Sequence, residues 1–213
     1  MFECELPFDH KTLHLELEDK NFAGVMEGHQ NEFETTKTQQ KLVEESLANP
    51  YGSPSLEELC AGKKDIVIIS SDHTRPVPSR VTMPILLHHI HTAAPDARVR
   101  ILVATGMHRP STHEELVNKY GEEIVANEEI VMHVATDDSM MEKIGTLPSG
   151  GECIINKIAA DCDLLLAEGF IEPHFFAGFS GSRKSVLPGI ASYKTIMYNH
   201  NGQFVNDSHS RAG

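Results

Sequence analysis

The spacing of apolar and polar residues changes character once along the chain. Near the start Leu13, Leu15 and Leu17 alternate with polar neighbours, a two-residue period that predicts short antiparallel strands. Gln39–Ala48 reads as a helix closed by Asn49, Pro50 and Gly52. Beyond it, apolar runs of strand length recur between helix-like segments. Asp65–Ser71 (DIVIISS) is apolar at successive positions, which fits a strand covered on both faces. A helix over about 80–91 leads to a second such run at 99–105 (VRILVAT), and Thr112 with Glu115 forms a capping box for a helix ending at Tyr120. A weaker strand at 130–135 precedes Gly150 and Gly151, then a helix reaching about Asp161, then a third strong strand at 163–168 (DLLLAE). Strands alternating with helices predict an α/β fold with a doubly wound, mostly parallel, Rossmann-like sheet. Residues 1–35 form an N-terminal β segment in this reading, and 36–213 the α/β core with its cofactor loop.

The residues just after each strong strand carry the chemistry. Asp72-His73-Thr74-Arg75-Pro76 follows the first, Gly106-Met107-His108-Arg109-Pro110 the second, and Gly169-Phe170-Ile171-Glu172-Pro173-His174 the third. Ligands of open α/β sheets bind beyond the carboxyl ends of the strands. The sequence therefore predicts that an Asp, two Arg and two His converge on one edge.

Charge sharpens this expectation. A net charge of -13 repels nucleic acid and anionic membrane, so an anionic substrate must be held by a local cluster of cations. The start of the chain lacks the basic-then-apolar pattern of a signal peptide, and no apolar stretch approaches the ~20 residues that span a bilayer. The four cysteines, Cys4, Cys60, Cys153 and Cys162, form no CxxC pair, which suits a reducing compartment. A cytoplasmic protein is expected.

Each candidate residue has a plain reading beside the chemical one. His108 and His174 could exchange acid and base roles near neutrality, or hold a metal; each is otherwise a turn residue beside a proline. Residues 175–189 (FFAGFSGSRKSVLPG) combine Gly178, Gly181, Ser180, Ser182 and Ser185 with Arg183 and Lys184 at the start of a short helix. Such a loop can cradle a phosphate, although the Gly that precedes Lys in a Walker A loop is replaced by Arg183. Asp72 fits a helix N-cap with Pro76 near the first helical position, and Arg75 could grip a carboxylate from the same turn. His200 ends a helix at about 192–197, and chemistry alone gives it no role.

Taken together, SDHTRPVPS (71–79), GMHRPSTHEELVNKYG (106–121), PSGGECIINKIAADCD (148–163) and EGFIEPHFFAGFSGSRKSVLPGIASYKTIM (168–197) resemble the nickel-pincer-nucleotide-dependent lactate racemase family. The resemblance spans essentially the whole chain. It implies that His108 and His174 are the acid/base pair, and that Lys184 anchors the cofactor covalently. The cofactor is pyridinium-3,5-bisthiocarboxylic acid mononucleotide with nickel, and His200 is the protein's nickel ligand. Asp72, His73, Thr74 and Arg75 hold the cofactor, with Arg75 facing the substrate carboxylate. One departure is Ser182, which stands where the family pattern has a second glycine.

The implied reaction interconverts D- and L-lactate. The hydrogen on C2, beside an ionised carboxylate, is too weakly acidic for a histidine to remove as a proton. Hydride transfer to the cofactor through transient pyruvate avoids the carbanion, and each enantiomer then needs its own hydroxyl base. Cofactor-synthesis proteins are the implied partners. Members of the family are longer and carry a second domain, so the chain is expected to be an N-terminal portion and inactive by itself. The alternatives are a racemase or epimerase of another 2-hydroxy acid, a cofactor-holding domain without turnover, and a zinc hydrolase built on His108, His174 and His200.

Overall fold

A computed structural model describes residues 1–212, the side chains of Gln30, Asn31 and Ser182 aside. The chain divides into two compact units, Met1–Lys37 and Thr38–Gly213. In the first, β1 (Phe2–Phe8) pairs antiparallel with β2 (Lys11–Leu17), Leu6 opposite Leu13 and Cys4 opposite Leu15. Asp9 turns the hairpin at φ 55, a left-handed conformation that Asp tolerates. Phe2 stacks on Phe22 with ring centroids 3.9 Å apart.

The second unit starts with α1 (Gln39–Ala48), capped by the Thr38 hydroxyl on the Lys41 amide, and α2 (Leu56–Cys60), which carries its own Ser55/Glu58 capping box. Four parallel strands follow as its centre: β3 (Asp65–Ser71), β4 (Arg98–Ala104), β5 (Glu129–Met132) and β8 (Leu164–Glu168), in the spatial order β5-β4-β3-β8. Between them lie α3 (Ser79–Ala93), α4 (His113–Tyr120), α5 (Glu122–Asn127) and α6 (Lys157–Asp161). The antiparallel pair β6 (Met141–Thr146) and β7 (Glu152–Asn156) precedes α6.

The run DIVIISS explains why β3 is central. Ile66 and Ile68 point into a core with Met83, Leu87 and Ile90 of α3 and Val99, Ile101 and Val103 of β4. Val67 and Ile69 enter the opposite core with Leu102, Ile155, Ala159 and Ile190. A strand with its alternate residues in two cores has no polar face to offer, as its sequence requires. The sheet is α/β, parallel and flanked on both faces, as expected. From β3 the chain moves to β4 and β5 on one side, and β8 later enters on the other. The crevice between the carboxyl ends of β3 and β8 is thus a topological switch point.

Two expected elements differ. The helix from Gly151 to Asp161 is helical only over Lys157–Asp161; Glu152–Asn156 is a strand, because its apolar residues pair with β6 and bury Ile155 in the second core. Asn156 ends that strand and caps α6 by accepting from the Ile158 amide at 3.1 Å. The strand expected over 130–135 stops at Met132. Past it the His133 amide still donates to Val103 (3.1 Å), but the buried His133 ring turns to the Ala191 carbonyl (3.0 Å). Among the described residues no helix is long and apolar enough to cross a membrane.

Candidate functional site

A cavity of about 290 Å³ opens at the carboxyl ends of β3, β4 and β8 and is lined by Asp72, Arg75, His108, His174, Lys184 and His200, among others. Residues as distant in sequence as Asp72 and His200 meet there, because three post-strand loops share one sheet edge and the end of the helix Tyr193–Asn199 reaches it.

The loop after β3 does not start a helix at once. α3 begins at Ser79 with Pro78 in the cap position, so Asp72 is no helix cap. Its carboxylate closes its own turn instead, accepting from the Thr74 amide (3.0 Å) and hydroxyl (2.6 Å) through Oδ1. Oδ2 lies 2.6 Å from Nδ1 of His108, in the loop after β4. Asp72 is 1% exposed. Burial pushes its carboxyl up, but hydrogen bonds from the Thr74 hydroxyl, His108 and the Thr74 amide outweigh this and hold it below its usual range. An ionised Asp72 therefore orients a half-exposed imidazole, the arrangement that fixes a histidine's tautomer.

The same loops are tied together outside the cavity. Arg109, expected among the converging cations, instead makes a bidentate pair with Glu115 of α4 (2.6 and 2.8 Å) and does not line the cavity. Glu115 also accepts from the Thr112 amide at 2.7 Å, completing the predicted capping box. Arg109 and the Thr112 amide hold the Glu115 carboxyl at about 2. His73 turns its Nδ1 to Ser111 Oγ at 2.9 Å and stands 3.7 Å from Glu115. Neither His73 nor Thr74 lines the cavity; the first joins two loops and the second braces Asp72.

His174 stands on a different support. β9 (Pro173–His174) and β10 (Gly178–Phe179) form a minimal hairpin, and the amides of Phe176 and Ala177 donate to His174 Nδ1 at 3.4 and 3.3 Å. The Phe175 ring stacks on the imidazole, and Phe176 meets it edge-on, both at 4.7 Å. Burial and then the charges of Lys184, Arg75 and His200 push His174 below its ordinary value, so the ring is neutral near pH 7.

Phe176 also meets His200 edge-on at 5.3 Å, and Lys184 Nζ lies 5.9 Å from its centroid. The loop that carries Lys184 is a single 3-10 turn, Ser182–Ser185, rather than a helix, so anion affinity here rests on side-chain cations. The Ser182 side chain, where the family pattern is broken, lies outside the described residues. Gly181 has φ 71, and a Cβ there would come within 2.7 Å of the Phe170 carbonyl, so only glycine lets the two strands of this loop approach. Burial, then Arg75, lowers the Lys184 ammonium below its usual range. His200 caps the C-terminus of α7 (Tyr193–Asn199) through its amide on Ile196 (2.8 Å), and its Nδ1 is buried without a hydrogen-bond partner. α8 (Gly202–Val205) follows.

Three residues at the site left no sequence signal. Glu168, 6% exposed at the end of β8, accepts from Ser70 (2.7 Å), Ser79 (3.0 Å) and Thr82, joining β8, β3 and α3 beneath the cavity. Lys119 of α4 reaches Ser71 Oγ and the Arg75 carbonyl, each at 3.4 Å. His133, fully buried, supports the segment between Lys184 and His200 through Ala191. Among the described residues no three His, Cys, Asp or Glu side chains gather to hold a metal unaided, so the three-histidine zinc reading lacks a ligand set.

The chain matches the lactate racemase N-terminal domain family over residues 8–213. It is 64% identical over 213 residues to a lactate racemase of Lactiplantibacillus plantarum and 48% identical to one of Thermoanaerobacterium thermosaccharolyticum, covering all of this chain and 50% of each relative. The chain thus spans about half the length of the curated relatives it matches. The solved lactate racemase apoprotein from T. thermosaccharolyticum superposes with a TM-score of 0.88 at 48% identity, over 100% of this chain and 49% of that one. A Thermotoga maritima protein, 23% identical with a TM-score of 0.63 over 77% of this chain and 41% of that one, shares the fold.

Proposed function

The chain belongs to the lactate racemase N-terminal domain family, and from that premise we propose that it is the cofactor- and substrate-holding part of an enzyme that interconverts D- and L-lactate. The observation that carries this reading is one cavity lined by a carboxylate-oriented histidine, a second histidine, the exposed Arg75 and the half-buried Lys184. Arg75 pairs with the lactate carboxylate, which the net negative charge of the chain would otherwise repel. With Nδ1 bonded to Asp72, His108 has Nε2 left to exchange a proton with the substrate hydroxyl. His174 serves the same oxygen from the hairpin. Two such groups suit a racemase, since the hydroxyl must lose and regain its proton on a centre that changes hand.

The residues present fit the cofactor that the family resemblance implies: nickel with pyridinium-3,5-bisthiocarboxylic acid mononucleotide. Lys184 would hold it covalently; its lowered proton affinity leaves more free amine than an exposed lysine has, the form that attacks an acyl carbon. His200 would be the nickel donor, since its buried Nδ1 is engaged in no hydrogen bond, and the soft thio groups need only one nitrogen from the protein. When bound, this group supplies the acceptor and donor of a hydride, letting lactate pass through transient pyruvate. Cofactor-synthesis proteins would load it.

The test uses the intact enzyme carrying the cofactor. His108→Ala and His174→Ala should each nearly eliminate racemisation, and rapid mixing with single enantiomers followed by acid quench should find pyruvate with different enantiomers for the two variants. Near-native racemisation by either variant would sink the two-histidine reading. Lys184→Ala should lose the covalent adduct in denaturing mass spectrometry; an unchanged adduct mass would reject the anchor.

A further inference from the structure

We propose that the two histidines of the cavity rest in opposite tautomers, His108 protonated on Nδ1 and His174 on Nε2, so that the resting site offers one base and one hydrogen donor. The assignment follows from what each Nδ1 touches. An ionised carboxylate can only accept, so the 2.6 Å contact with Asp72 Oδ2 requires the hydrogen to sit on His108 Nδ1. Nε2 of His108 then carries the lone pair. A backbone N–H can only donate, so the amides of Phe176 and Ala177 require His174 Nδ1 to carry the lone pair. A neutral His174 ring must keep its hydrogen on Nε2, and the stacked Phe175 and edge-on Phe176 hold it in that orientation.

The consequence is an asymmetry that neither loop motif reveals. Proton removal from a substrate hydroxyl falls first to Nε2 of His108, while Nε2–H of His174 donates a hydrogen bond to the same class of oxygen. For His174 to take its turn as base at Nε2, its hydrogen must sit on Nδ1, which expels both amides and opens the turn at residues 175–177. The two directions pass through the same states in reverse order, so each includes this opening at His174, whereas the Asp72 contact of His108 persists in both. This catalytic meaning rests on the racemase reading; the tautomers themselves do not.

The experiment is long-range ¹H–¹⁵N NMR of the imidazole rings in the histidine-labelled, cofactor-free protein at about pH 8, above the ordinary histidine range. His108→Gln and His174→Gln identify the two sets of signals. The expected result is a bare Nε2 in His108 and a bare Nδ1 in His174. Asp72→Asn should then move His108 toward the Nε2–H form, because an amide NH₂ can donate to Nδ1, and leave the His174 signals in place. Finding both wild-type rings in the same tautomer, or a His108 ring indifferent to Asp72→Asn, would overturn the proposal. The readout needs neither cofactor nor turnover, so its failure and that of the racemase reading are separate events.

Discussion

His108 and His174 line one cavity from two arms that differ in almost every physical respect. The arm after β3 and β4 hangs directly from the buried centre of the sheet, and its histidine is held by a carboxylate that is itself 1% exposed. Around it Arg109, Glu115, Thr112, Ser111 and His73 link one loop to the next with charged or polar contacts. The other arm is a hairpin with two residues in each strand, whose histidine is held by two backbone amides and two aromatic rings. Ile171 and Phe175 there are 72% and 77% exposed. Two histidines that line one cavity are thus supported by opposite kinds of partner. A carboxylate accommodates both the neutral and the protonated ring, whereas backbone amides accommodate only a bare nitrogen.

The comparison breaks most sharply at Asp72. Asp72→Asn keeps the shape of the turn but inverts the demand on His108 Nδ1, and racemisation by the intact enzyme should fall by roughly 10²- to 10⁴-fold. A loss of less than about threefold would mean that His108 needs no carboxylate and that the two arms are alike after all. Next in size is Gly181→Ala in the hairpin arm. A side chain at φ 71 against the Phe170 carbonyl should cost about 1–3 kcal/mol of local stability. It should appear as faster proteolysis within residues 170–185 while the Asp72–His108 arm keeps its amide protection; equal loosening of both arms would show that they are one cooperative unit.

The smallest effect is one of pH. His174 has a depressed proton affinity in the fold, so its contribution to holding the hairpin is fully present above its ordinary value of about 6.5 and is lost as pH falls below it. Asp72 is depressed too, but as a carboxylate it stays ionised until far lower pH. Between pH 7.5 and 5 the Phe176 and Ala177 amides should therefore lose several-fold in protection, corrected for intrinsic exchange, while the Thr74 amide keeps its own. Parallel loss at Thr74 would contradict the distinction between the arms.

What the sequence determined by itself was whatever depends on near neighbours. The run DIVIISS defines β3 residue for residue, Gln39–Ala48 is helical and stops where Asn49, Pro50 and Gly52 indicate, and Thr112 with Glu115 forms its capping box. These are properties of side-chain period and local hydrogen bonding. The parallel sheet follows from the alternation of strands and helices, and with it the convergence of three loops on one edge. Local pattern misled where a partner outside the window decided the outcome: ECIIN of residues 152–156 is a strand because β6 pairs with it.

Only the tertiary structure decided which residues of each loop enter the cavity and what they touch. Arg109 and His73 sit in the same loops as His108 and Arg75, yet turn outward to Glu115 and Ser111, because rotamer and loop path rather than sequence position set direction. The contact of Asp72 with His108 spans 36 residues, and that of Ser70 with Glu168 spans 98. No local period encodes such pairs; they exist because β3 lies between β4 and β8, an order fixed by the packing of two cores. The tautomers follow from those contacts, so a sequence that names both histidines is silent on how they differ.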